Sequence, residues 1–231
     1  MCGYARRHVN SRQMHQLADL LSTGGLVIKV GVESMAHFYP AFGGAAGRQL
    51  NDLVINDGGS IKTVDATWWF DCQDVGDSLV VNNKRTTFNA RSLTSPYWKG
   101  AIRHHRGVFI ATGIGEGKMI DGKNRHFLVE SDQPILLGCV YRKFPNGQYS
   151  TAIITRDAHL RFDKYHDKAF PLMLPHDSDF LRLWLSDARE DEPAIADLLE
   201  HSRIFSDLNI TPVKTFKDAK PLGPTESLAR D

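Results

Sequence analysis

Cys2 is the residue with the most chemistry to offer. Once an initiator methionine is removed, as is usual ahead of a small residue, Cys2 carries an α-amine and a thiol on adjacent carbons. The amine titrates near ~8 and the thiol near ~8.5, so neutral amine and thiolate both exist around neutral pH without special surroundings. Such a 1,2-aminothiol condenses with an aldehyde to a Schiff base and then closes sulfur onto the same carbon, leaving a thiazolidine ring. The same pair can serve as nucleophile and base in amide hydrolysis, because an N-terminal amine can activate its own side chain. The plain alternative is a frayed and idle second residue.

Three further positions offer acid, base or anchoring groups. Glu116 lies in Thr112-Gly113-Ile114-Gly115-Glu116-Gly117-Lys118, which fits neither dinucleotide nor Walker glycine spacing and therefore reads as a glycine-bounded turn holding one carboxylate at a strand end. His166, beside Asp167, is the natural proton shuttle of its segment, although nine other histidines compete. Asn89 and Arg91 stand two positions apart, so an extended backbone would present amide and guanidinium on one face, the one suited to a terminus or hydroxyl, the other to phosphate. Trp68 and Trp69 could stack single-stranded bases, with at least one indole equally able to be core. Arg6-Arg7-His8, Lys84-Arg85 and Arg103-His104-His105-Arg106 are basic clusters that could line a phosphate track or simply be solvated.

These groups need a scaffold. The 231 residues are 42% hydrophobic and 24% charged, as expected of a soluble globular chain, and a net charge of +1 argues against coating duplex DNA by bulk electrostatics. Three scattered cysteines, Cys2, Cys72 and Cys139, suggest neither a disulfide framework nor structural zinc. No apolar run is long enough to span a bilayer and no secretory signal is present, so a cytoplasmic protein is expected. Residues 11–23 have helical apolar spacing closed by Gly24-Gly25. Short β-rich runs follow at 26–32, 61–70, 78–81, 86–89, 108–111, 127–129, 135–144 and 149–155, with Pro145-Asn146-Gly147 marking a hairpin between the last two. Helices return at 177–186 and 192–205. Strands do not alternate with helices, which favours an α+β fold with a largely antiparallel, barrel-like sheet and peripheral helices, one domain over residues 2–213 and a polar tail, partly disordered, over 214–231.

In order along the chain, Met1-Cys2-Gly3, Asn89-Ala90-Arg91-Ser92, Ala111-Thr112-Gly113-Ile114-Gly115-Glu116 and Ile153-Ile154-Thr155 leading to His166-Asp167-Lys168 and Pro171 resemble the SOS response-associated peptidase (SRAP) family of abasic-site processing proteins. The resemblance runs from residue 2 to about 175 and marks a divergent member. Tyr4 stands where the family usually has arginine, Leu93 where it has glutamate, and Ile114 and Gly117 where it has aromatic residues.

The resemblance implies a SRAP-like fold and a protein that binds single-stranded DNA at an abasic site, joins Cys2 to the ring-opened deoxyribose aldehyde as a thiazolidine crosslink, and so protects the lesion, with associated autopeptidase or AP-lyase activity. Asn89 and Arg91 would place the terminus and the DNA backbone, Glu116 would assist proton transfer and ring opening, and His166 would act on the Schiff base and sugar. Trp68, Trp69, Arg6, Arg7 and Arg85 complete the expected DNA contacts. No metal, cofactor or membrane is expected, and a monomer that associates with the nucleoid when on DNA is. An amidohydrolase using Cys2 and a non-catalytic single-strand binding module are the competing readings.

Overall fold

The computed structural model describes residues 3–8, 34–44 and 48–231; Met1, Cys2, the helix expected at 11–23 and the strand expected at 26–32 lie outside the described residues. The organising element is one long hairpin. Strand β8 (Arg106–Ile120) runs into β9 (Lys123–Lys143) through Asp121-Gly122, both at positive φ (50° and 72°). Paired left-handed residues give a turn whose twist matches that of the strands it joins. The sheet expectations at 127–129 and 135–144 are thus one continuous strand.

The halves of this hairpin belong to different layers. Near its open end β8 pairs with β3 (Gln49–Asp57), β3 with β4 (Ser60–Thr67), β4 with β10 (Tyr149–Arg156), and β10 with β9, which closes a five-stranded barrel. Every joint is antiparallel except β4 with β10. The sequence-based expectation of a barrel-like, largely antiparallel α+β fold is met. The β9–β10 turn is the expected one, with Gly147 at φ 82°.

Beyond a register shift between Ala111 and Gly113, the far half of β8 leaves β3 and pairs instead with β1 (Tyr4–His8), while the far half of β9 pairs with β12 (Leu208–Val213). A bulge of this kind bends a strand and redirects it. Strands β2 (Met35–Phe38) and β13 (Glu226–Leu228) flank β1 and β12, so the site described below is built on an extension of the barrel that these strands widen on both sides. Short strands β7 (Asn89–Ala90) and β11 (Phe170–Pro171) add to β10, and β5 (Cys72–Asp74) pairs with β6 (Leu79–Val81).

Three α-helices are seen among the described residues: α1 (Pro96–His104), α2 (Ser178–Trp184) and α3 (Pro193–Glu200). Asp177 caps α2 by accepting from the Phe180 N–H at 2.8 Å, and Glu192 caps α3 by accepting from Ala194 N–H at 3.0 Å. Trp98, Ile102, Trp184, Ile195 and Leu198 pack these helices on the outer face of the barrel. Arg106 is buried there, donating to the carbonyls of Trp184, Ile102 and Ala188 at 2.7, 2.9 and 2.7 Å, and Arg103 pairs with Glu190 at 3.0 Å. The 103–106 cluster is therefore a helix-docking device rather than a phosphate track.

The residues after Val213 are tied down. Beyond the β13 ladder, Asp231 accepts from Arg161 at 2.7 Å and from the Ile204 N–H at 2.7 Å. The tail expected from composition to be loose is docked, because its few apolar and charged groups meet partners on the barrel.

Candidate functional site

Glu116 is not in a turn. It sits inside β8 opposite Phe127, and its flanking glycines mark close approach rather than chain reversal. A Cβ on Gly113 would come within 3.2 Å of the Arg6 side chain, one on Gly117 within 3.1 Å of Asn124, and one on Gly115 within 2.7 Å of Phe216 and 2.8 Å of Tyr4. The glycines let neighbouring side chains close over the strand, and Glu116 is sealed at 1% exposure. Burial favours the uncharged carboxyl and pushes its pKa up to about 7.

His166 reaches the same place from a separate loop. After the short 3-10 turn Leu160–Phe162, the Tyr165 and His166 amides both donate back to the Phe162 carbonyl, at 2.9 and 3.0 Å, while the Phe162 and Tyr165 rings anchor the loop in the core. The imidazole Nδ1 lies 2.7 Å from the Gly117 carbonyl and 3.6 Å from Glu116 Oε2. A carbonyl only accepts, so Nδ1 carries the proton and the lone pair of the neutral ring is on Nε2. Desolvation lowers the His166 pKa. Two buried groups are thereby displaced in opposite directions, the pattern that makes a neutral acid and a neutral base coexist near pH 7.

Lys118, two residues past Glu116 and so on the same face of β8, fastens the His166 loop to the strand: its ammonium donates to the Asp163 carbonyl and lies 3.6 Å from the Asp167 carboxylate. On the loop's other side Tyr165 donates to Glu226 of β13 at 3.0 Å, and Lys164 does so at 2.7 Å. Neither anchor is anticipated from sequence. Period-two alternation from Glu116 points to Lys118, whereas no local signal marks Glu226.

His166 and Lys118 border a cleft of about 450 Å³ lined also by Gly3, Phe88, Gly115, Gly117, Lys168 and Phe216, with Glu116 buried between the two lining glycines. Gly3 is the residue after Cys2, and Tyr4 pairs with Gly115 in the β1–β8 ladder. Asn89, half-buried, follows cleft-lining Phe88 and is held in β7 opposite Ile153. Arg91 lies past the end of β7, exposed, with a 3.1 Å ion pair to the still more open Asp157. Glu116 and His166 are thus brought together, Asn89 follows a residue of the cleft lining, and Arg91 lies exposed two residues on.

The expected aromatic and basic DNA contacts fare differently. Trp68 is fully buried and donates to the Phe88 carbonyl at 2.9 Å; Trp69 is 3% exposed and donates to the Asn82 carbonyl at 3.1 Å. β4 ends at Thr67, so the two indoles lie in a bend where strand alternation no longer sends one outward, and both join the core. Arg7 is buried too, donating to the Ile110 and Asn51 carbonyls and to Asp52 while its guanidinium lies over the Phe38 and Phe109 rings. Arg6 pairs with Glu130. Of the basic residues expected on DNA, Arg85 and Arg91 remain open at the surface, Arg85 over the Tyr97 ring.

Among the described residues no group of three or more His, Cys, Asp or Glu is placed to hold a metal ion, and no helix is long and apolar enough to cross a membrane.

The fold is similar to that of a protein from Bordetella bronchiseptica (TM-score 0.62, 15% identity, 93% of this chain and 100% of that one). A phage-related protein from the same organism is similar to the same degree (TM-score 0.62, 16% identity, 97% and 100%). So, over less of its length, is a protein from Bacteroides thetaiotaomicron (TM-score 0.54, 16% identity, 75% and 78%). No curated protein matches the chain. The family model described as SOS response associated peptidase matches residues 1–216, which include the β1–β8 ladder, the buried Glu116 and the His166 loop, and the chain belongs to the SRAP family.

Proposed function

We propose that the protein captures abasic sites in single-stranded DNA covalently, through the aminothiol of Cys2 exposed by removal of Met1. Family membership supports a DNA-damage-associated role and an activity of peptidase or lyase type. The observation that carries the finer reading is the pairing of a buried acid, Glu116, held protonated below about pH 7, with His166 at 3.6 Å, the imidazole lining a cleft that also contains Gly3.

The chemistry needs this pair. The Cys2 amine adds to the sugar aldehyde to give a carbinolamine; its hydroxyl leaves as water on receiving a proton, which Glu116 in its acid form can supply. The iminium N–H returns its proton to Glu116, the Cys2 sulfur attacks the imine carbon, a C–S bond forms, and the thiol proton ends on nitrogen. One water is released and no electrons are exchanged. His166, with its lone pair on Nε2, suits removal of the sugar hydroxyl proton as the furanose ring opens. Asn89 serves the terminus. Arg91 serves the backbone: an ion pair as exposed as that with Asp157 is worth about 0–1 kcal/mol and is readily traded for a phosphate.

The test is incubation of Met1-free protein with a single-stranded oligonucleotide containing one abasic site. A stoichiometric band that survives denaturation, is lost in Cys2→Ala and is absent with intact oligonucleotide is expected. Multiple turnover of an amide substrate without DNA would instead favour the amidohydrolase.

A further inference from the structure

With both tryptophans in the core, the cleft still possesses an aromatic wall, and it comes from the segment whose composition is least suggestive of structure. Phe216 projects from the loop after β12 into the cleft lining, together with His126 of β9. The Phe216 ring is stacked on Tyr4 at 5.0 Å and 12°, and the His126 ring lies 4.8 Å away, tilted by 50°. Tyr4 is itself fixed by a 2.7 Å hydrogen bond between its hydroxyl and His37 Nδ1. The bare backbone of Gly115 leaves the room these two rings occupy.

The loop is closed on itself rather than loose. Lys214 N–H donates to the Lys220 carbonyl at 2.9 Å, Ala219 N–H to the Thr215 carbonyl at 3.0 Å, and Thr215 Oγ1 to Asp218 at 3.1 Å. This loop carries Lys214, Lys217 and Lys220, all exposed, against a single acid, and among the described residues none of the three ammonium groups is in an ion pair. Lys168 stands in the same cleft. A preordered ring with cations around it is the combination by which proteins hold single strands without reading sequence, the ring stacking a base and the cations tracking phosphates.

The geometry points to residues 214–220 as a single-strand docking element, in which Phe216 and His126 stack a nucleobase beside the reactive cleft and Lys217 and Lys220 contact adjoining phosphates. This rests on the single-stranded DNA reading above and adds the element that holds the strand.

The experiment uses a short single-stranded oligonucleotide bearing a tetrahydrofuran abasic analogue, which has no aldehyde and cannot crosslink, flanked by 2-aminopurine, whose fluorescence is quenched by stacking. Wild-type protein quenches the probe. Phe216→Leu loses the quench and binds roughly 5- to 150-fold more weakly, the range expected for one base stack, while Phe216→Tyr retains both. Lys217→Gln/Lys220→Gln, a surface pair that leaves the core intact, flattens the slope of log affinity against log salt by about 0.7 for each phosphate no longer neutralised. Phe216→Leu with wild-type quench and affinity, or an unchanged salt slope in the lysine variant, overturns the assignment. If wild type crosslinks a true abasic oligonucleotide while Phe216→Leu binds normally, the docking element is wrong and covalent capture stands. If wild type never crosslinks but Phe216→Leu still loses affinity, the reverse holds.

Discussion

Glu116 Oε2 lies 3.6 Å from His166 Nδ1, yet the proton on that nitrogen is directed to the Gly117 carbonyl, 2.7 Å away. The carboxyl is therefore placed beside the imidazole without being tied to it by that proton.

The pH dependence of stability follows from these displacements. The Glu116 pKa is raised from 4.5 to about 7, so its uncharged form is favoured by folding; that contribution is fully present below the unfolded value and is lost as pH rises through 7. Glu116→Gln keeps the shape without the charge. Relative to wild type it should gain stability on going from pH 5 to pH 8, by roughly 3 kcal/mol at most, as read in denaturant melts at both pH values. His166 works in the opposite sense: its lowered pKa removes stability as pH falls below its ordinary value.

The proton donation proposed for Glu116 carries an alkaline limb. Single-turnover crosslinking by wild type should decline above about pH 7 as Glu116 ionises, and Glu116→Gln should be slower by roughly a hundredfold, within the range for loss of a general acid. A rate that keeps climbing past pH 8 in wild type would remove Glu116 from that role.

Lys118→Met cuts the strand from the His166 loop while preserving the length of the side chain. Crosslinking should slow about tenfold or more through misplacement of His166, with affinity for the non-reactive analogue almost unchanged. Separate binding and rate measurements on one variant decide it.

Gly115→Ala probes the packing over β8. The new methyl would lie 2.7 Å from the Phe216 ring, and relief demands that the ring or the strand move. A loss of about 1–3 kcal/mol is expected, with weakened single-strand binding. Ala at an open position such as Gly100, where nothing lies within 4 Å, is the control for fold.

Trp68→Leu should destabilise by about 3 kcal/mol or more, since a fully buried indole and its 2.9 Å bond to the Phe88 carbonyl are both lost. Any loss of DNA binding should follow the melting temperature and disappear on cooling.

The legible parts are those whose signal is local. The hairpin at Asn146-Gly147, the C-terminal helices and the barrel-like character all rest on turn chemistry and periodicity within a few residues. Glu116 and His166 stand out by residue type and by family resemblance, but the sequence places Glu116 in a turn, because three alternate glycines imitate one. Those glycines answer to Arg6, Phe216 and Asn124, residues brought in by the folded strands around them. The same holds for β1 and β12, short segments that become strands against the far half of the central hairpin. Helix α1 does carry a local cue, Ser95-Pro96 at its start, masked by the basic residues behind it. Arg6 and Arg7 read as surface charge because nothing nearby in sequence reveals that Glu130 and Asp52 await them.

The stack of Tyr4 on Phe216 also sets an order in time. A ribosome delivers the fourth residue long before the two hundred and sixteenth, so Tyr4 waits for its stacking partner until synthesis is almost over. The last ring to arrive is thus the one that closes over the first described strand, and the wall they share is finished only when nearly the whole chain has been made.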